Sequence, residues 1–233
     1  MAADSLRKTI CILANSFKHC GRCIAGIEAK WMRSSWELSE NWIRPLSHRP
    51  EGEINFKESL LNTKKQPSVL DIVDIELSKP ADVAGQPENW LINPNSTWVY
   101  RGTMPREVLL KSIETPSDLW LEYPNNPLYP ARVSTEFIKK NKSPSLYLIK
   151  AKHLQLCIEE HQGKKKMRAK FYYRSMMYNL ALTDPRMQSR FFPYFPNNPV
   201  ETIDNGPAPN SMLCISLAPE WNKKHHKLVA AVI

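Results

Sequence analysis

Two stretches of the chain bring together residue types that can do chemistry. Along residues 166–174 the alternation of a strand puts Lys166, Arg168, Lys170, Tyr172 and Arg174 on one face. Met167, Ala169, Phe171 and Tyr173 fall on the other. The second face reads as a barrel core and the first as a basic stripe with an aromatic ring inside it. Cations neutralise phosphates while a ring stacks on a base, which is how a small barrel holds single-stranded nucleic acid. Lys150, Lys152, Lys164 and Lys165 add charge in the same half. The competing reading is a solvated outer strand whose charges block edge pairing.

The other stretch is a turn near the start of the chain. Asn15, Ser16, Lys18 and Arg22, joined by Arg44 at the end of a nearby strand, form a polar set around it. Two guanidinium forks and turn backbone donors suit a phosphate or other anion. The same residues also suit loop hydrogen bonding that fixes a hairpin. Cys20 and Cys23 make a lone CxxC after His19. A zinc site asks for a second pair, and a redox motif asks for a helix N-terminus. Neither is readable here, so no metal and no cofactor are expected. The chain has no GxSxG, HExxH or P-loop, which leaves nucleophilic catalysis without residues to carry it.

The elements that must position these residues are mostly strands. Residues 8–14, 23–29 and 42–45 read as a three-strand meander around the basic turn, with residues 30–40 as an insertion before the third strand. Residues 69–77 return to alternation. A helix is predicted over 104–114, capped by Thr103 and stopped by Pro116, with Leu109, Leu110 and Ile113 as its buried stripe. Residues 116–130 form a proline-punctuated connector. In the second half, 145–150, 153–159, 166–174, 177–183, 212–217 and 227–233 read as strands. Asp184-Pro185 signals a short helix over 186–191. No internal repeat is readable.

The chain has 233 residues and a formal net charge of +9, which favours a polyanionic partner. Nineteen prolines against seven glycines argue for stiff loops and short helices. Five cysteines, an odd number scattered through apolar strands, and the lack of a readable signal or membrane segment point to reduced thiols in a cytoplasm.

The motifs ILANSFKHCGRCIAG, WIRP, LDIVDI, QPENWLI, SLYLIKAKHLQL, FYY, YNLALTDP and CISLAP with HKLVAAVI together resemble the prokaryotic dual-OB-containing domain family. The resemblance implies a mainly β fold of two consecutive small OB-like barrels with a few short helices. The expected domains are residues 1–131, with long loops and one helix, and 132–233. It also implies nucleic-acid binding in genome or antiphage defence, beside a separate effector protein. Within its motifs stand Asn15, Ser16, Lys18, Arg22, Arg44, Gln86, Glu88, Asn89, Thr183 and Asp184. The leading expectation is therefore a non-catalytic module for single-stranded DNA or RNA. The alternatives are an enzyme or nucleotide sensor, with Arg22 and Arg44 on a phosphate and Glu88 or Asp184 as acid–base groups, and a subunit docking an acidic protein.

Overall fold

The structure is a computed structural model that describes residues 6–18, 21–81, 83, 85–122, 131–161, 163–194, 200–203 and 211–233. The chain folds into two compact units, Met1–Ile113 and Glu114–Ile233. The sequence places the division at 131/132. Residues 114–122 fall in the second unit because Leu119 and Trp120 are buried in its core and Trp120 Nε1 donates to Pro144 O at 2.7 Å.

In the first unit β1 (Leu6–Lys18), β2 (Gly21–Met32) and β3 (Ser35–Leu46) form an antiparallel meander. β4 (Asp71–Pro80), β5 (Asn89–Ile92) and β6 (Val99–Thr103) follow, then helix α1 (Arg106–Lys111). β1 serves two neighbours. Residues 6–11 pair with β4 and residues 10–18 pair with β2, so the order β1-β2-β3-β5-β4 returns to β1. The five strands close a barrel, with β3–β5 the parallel pair and β6 added outside β4. Ile10, Ile12, Ile24, Ile43, Val73, Ile75 and Leu77 fill it. β1 bends at a bulge between Ile12 and Ala14, and there Gly26 of β2 comes so close that a Cβ would lie 2.2 Å from Cys11 O. Only glycine permits that approach.

The second unit runs β7 (Arg132–Ser134), α2 (Thr135–Asn141), β8 (Leu146–Lys150), β9 (Lys152–His161), β10 (Lys164–Tyr173) and β11 (Met176–Leu182). α3 (Pro185–Phe191), β12 (Val200–Ile203), β13 (Met212–Leu217) and β14 (Lys224–Val232) complete it. Its sheet runs β9-β10-β11-β14-β13-β8, with β11–β14 parallel. Ala151 alone separates β8 from β9. Taken as one bent strand, they give this unit the cyclic order of the first. Met167, Ala169, Phe171, Tyr178 and Leu180 line its core.

The mainly β architecture with short helices is therefore as expected, and several local readings need correction. α1 is six residues long, Pro105 occupies its N-cap position and no side chain caps it; Thr103 is the last residue of β6. Leu109 is buried, but Leu110 is 41% exposed, because so short a helix buries a single position. α2 lies between the connector and the strand at 145–150, where no element was read. Its signal is local: Ser134 Oγ accepts from Phe137 N at 3.1 Å, with Glu136 in the first turn and Lys142 closing the end in a left-handed conformation. The insertion at residues 30–40 is itself strand. It continues β2 and β3 as a ribbon, pairing Trp31 with Trp36. The helix at Asp184-Pro185 starts where the sequence puts it.

Candidate nucleic-acid interface

β10 shows the alternation that its sequence prescribes. Met167, Ala169, Phe171 and Tyr173 are buried, whereas Lys166 and Tyr172 are exposed and Arg168 and Lys170 half-buried. The outer residues differ in what holds them. Arg168 Nε donates to Asn179 Oδ1 at 3.0 Å and Nη2 to Asn179 O at 2.5 Å, with Glu159 at 3.9 Å. This guanidinium is bound to its own sheet. Lys166 faces Glu159 across the β9–β10 pair. Lys170 lies between Gln155 and Asn179 in the register. Arg174 is not on the strand. It sits in the two-residue turn to β11 with φ +52°, donating from Nε to Pro116 O at 2.9 Å and from Nη2 to Thr115 O at 3.1 Å. Lys150 is exposed at the end of β8.

The end of the stripe is concave. Lys152, His153, Tyr172 and Arg174 line a cleft of about 500 Å³. Tyr172 is 45% exposed and meets His153 edge-on, ring centroids 6.1 Å apart. His153 has φ +51°, an unusual state for a side chain with a Cβ. It falls where the bent first strand passes from one neighbour to the next, opposite the register shift between Lys170 and Tyr172. Such irregularities re-aim side chains, and this one gathers two rings and two cations. His153 was absent from the sequence-predicted set. The Lys-His step after a single-residue break between strands was its only signal, and a weak one.

The turn set of the first unit does not come together as one surface site. Asn15 Nδ2 donates to Pro67 O at 2.6 Å, Ser16 Oγ to Cys23 O at 3.5 Å, and Lys18 Nζ to Glu51 O. Arg22 lies 4.0 Å over the Phe17 ring and 5.3 Å from that of Phe56, and its burial lowers its pKa. Arg44 is 2% exposed. It stands opposite Asn89 in the parallel pair, and its backbone N–H donates to Glu88 O at 2.8 Å. Gln86, Glu88 and Asn89 are buried with it, and Asn89 Nδ2 donates to Gln86 Oε1 at 3.1 Å.

Asp184 is equally internal. Its Oδ1 accepts from Arg186 N at 2.9 Å and Arg186 Nε at 3.1 Å, and its Oδ2 from Arg186 Nη2 at 2.7 Å and Val232 N at 3.2 Å. Thr183 N donates to Val229 O at 3.0 Å. These groups hold strands and helix ends in place. His19 and Cys20 lie outside the described residues. Among the described residues no cluster of His, Cys, Asp or Glu is placed to hold a metal, and no helix is long and apolar enough to cross a membrane.

The solved structures that the chain resembles include three of similar length. A murine DNA-binding protein bound with double-stranded DNA is 10% identical, with TM-score 0.29, over 99% of this chain and 98% of that one. A chain described under structural mimicry for functional antagonism is 12% identical, with TM-score 0.32, over 97% and 92%. A third, described under the molecular basis for abrogation of activation of pro-inflammatory cytokines, is 10% identical, with TM-score 0.31, over 100% and 97%. Likeness at that level bears on neither site nor ligand. No curated protein matches the chain. The dual OB-containing domain family matches residues 8–232. With a cyclic five-strand order found twice, each with a parallel pair between third and fifth strands, the chain belongs to the dual OB-containing domain family.

Proposed function

We propose that this protein is a non-catalytic nucleic-acid-binding module whose second barrel holds single-stranded DNA or RNA. The reading rests on the cleft at the end of β10, where Tyr172 and His153 offer stacking faces and Lys152 and Arg174 offer charge. Lys170, Lys166 and Lys150 continue the charge along the barrel. The second and third strands of an OB barrel are its usual ligand face, and β10 and β11 occupy those places here. The setting we propose is genome or antiphage defence, as the family resemblance implies, in a bacterial cytoplasm, as the scattered cysteines suggest, with a separate effector protein doing the chemistry.

Removing charge and removing the ring should read differently. In anisotropy titrations with a labelled single strand, Lys170→Ala weakens binding to every sequence and flattens the salt dependence by roughly one unit, since one fewer counterion is displaced. Tyr172→Ala costs about 1–3 kcal/mol of binding with the salt slope nearly unchanged. Arg22→Ala is the control and should leave strand binding intact. Wild-type binding by both the Lys170 and Tyr172 variants would reduce the stripe to a solvated face.

A further inference from the structure

The hairpins joining the second and third strands of the two barrels are built alike. In the first barrel the residues are Trp31-Met32-Arg33-Ser34-Ser35-Trp36; in the second, Tyr172-Tyr173-Arg174-Ser175-Met176-Met177. Each turn is an Arg-Ser pair whose arginine is left-handed, Arg33 at φ +55° and Arg174 at φ +52°. Trp31 pairs with Trp36 as Tyr172 pairs with Met177, with Met32–Ser35 and Tyr173–Met176 next to the turns. In both, an aromatic ring two residues before the turning arginine is left in solvent, Trp31 at 60% exposure.

The surroundings correspond in the exposed ring and in the bent first strand, and differ in where the cation comes from, since Arg174 lines the second barrel's depression whereas Arg33 does not line the first's. Trp31 and Trp36 meet edge-on with centroids 5.2 Å apart. With Lys30, Met32, Ala29, Thr9, Asp74 and Arg101 they line an open depression of about 610 Å³. Thr9 belongs to the bent first strand, as Lys152 and His153 do in the second barrel. The cation here is Arg101. Its Nε and Nη2 donate to Asp74 Oδ2 at 2.8 and 2.5 Å, and Asp74 Oδ1 accepts from Thr9 Oγ1 at 2.8 Å. The guanidinium is thus held in one place while its side chain stays 44% exposed. A cation fixed in advance costs little further ordering when it binds an anion.

We infer that this cleft is a second base-stacking site, equivalent to that of the second barrel, in which Trp31 stacks a nucleobase and Arg101, with Lys30, takes its phosphate. The choice of ligand class rests on the function proposed above; the site itself rests on the matching turns and clefts. A base of a single strand and a free mononucleotide share this chemistry.

The test uses the full chain with two probes, dTMP and a 20-nucleotide oligo(dT), read by tryptophan fluorescence and by anisotropy of a labelled oligo. Trp31→Ala should weaken oligo binding by about fivefold to a hundredfold, and Trp31→Phe should remove most of the ligand-induced quench. Arg101→Gln should weaken binding as well, with Arg101→Lys as the fold-preserving variant should Asp74 need a cation. In a Tyr172→Ala background the Trp31-dependent quench persists. Quenching by oligo alone makes the occupant a strand, and quenching by dTMP too makes it any nucleotide. The inference is overturned if the Trp31 and Arg101 variants bind and quench like wild type with both probes, as a protein-docking face would. Tyr172→Ala then judges the second barrel separately: lost affinity there leaves that reading standing, and unchanged affinity removes both.

Discussion

Where the first barrel joins its third and fifth strands, three residue pairs in parallel register carry the ladder, from Arg44–Asn89 to Leu46–Leu91. Buried Arg44, Gln86, Glu88 and Asn89 surround that seam. Where the second barrel makes the same join, only Ala181–Leu228 and Leu182–Val229 are paired. One carboxylate, Asp184, then ties the final strand to the helix that follows the third. Short parallel ladders are the weakest part of a closed sheet, and both units reinforce theirs with buried polar groups. The first uses a cluster around a cation and the second a single anion. Arg44, Gln86, Glu88, Asn89 and Asp184 therefore lie at closures, Asn15, Ser16, Lys18 and Arg22 lie at the β1–β2 hairpin end, and the ligand surface proposed above lies at the β10–β11 hairpin.

Four experiments can break or sharpen that comparison. Arg44→Ala takes a buried cation from beside Glu88 and should destabilise the first unit by about 3–5 kcal/mol. Two-phase denaturation, with oligonucleotide binding by the second barrel retained, would check it; a stable variant that had lost binding would return Arg44 to a ligand site. Asp184→Ala removes a helix cap and strands the Val232 N–H, at a cost of about 2–3 kcal/mol, measured on the second unit's transition.

The third concerns Lys227, which lies inside the second barrel with its Nζ 5.8 Å from the Tyr178 ring and without a hydrogen-bond partner. Burial lowers its pKa from 10.5 to about 8, against the opposing pull of Asp118 and Glu122. Between those values the unfolded chain binds more protons, so stability should rise with pH from about 8 to 10.5, and the penalty is fully present below pH 8. Lys227→Met should stabilise by on the order of 2 kcal/mol at pH 7 and flatten that rise, as urea melts across the window would show. The smallest effect is expected at the cleft. A double-mutant cycle on His153 and Tyr172 should give a binding coupling of about 0.5–1.5 kcal/mol. Strict additivity would mean that the two rings do not act as one platform.

Much of this was legible in the chain because it depends on local periodicity. Residues 166–174 alternate, and alternation alone sends Phe171 inward and Tyr172 out. Asp184 followed by proline can start a helix without help from elsewhere. The fates of Arg44 and Asp184 were not legible. Their burial depends on Asn89, 45 positions away, and on Val232, 48 away, and a polar residue beside a turn looks the same in sequence whether its partner is a ligand or a distant strand. The ribbon form of the insertion at residues 30–40 was not legible for a related reason, since its pairing continues a hairpin into solvent and leaves no inward apolar face to mark it.

The sequence by itself determined a mainly β chain, the two faces of β10, the basic balance and the family, each through composition or short-range pattern. Tertiary structure alone decided that β1, and β8 with β9, bend to close their barrels, that Arg44 and Asp184 became closure pins, and that the two Arg-Ser pairs turn equivalent hairpins, each on a left-handed arginine. Closure and equivalence are relations between strands far apart in the chain. They are fixed by hydrogen-bond register and burial, which no local pattern records.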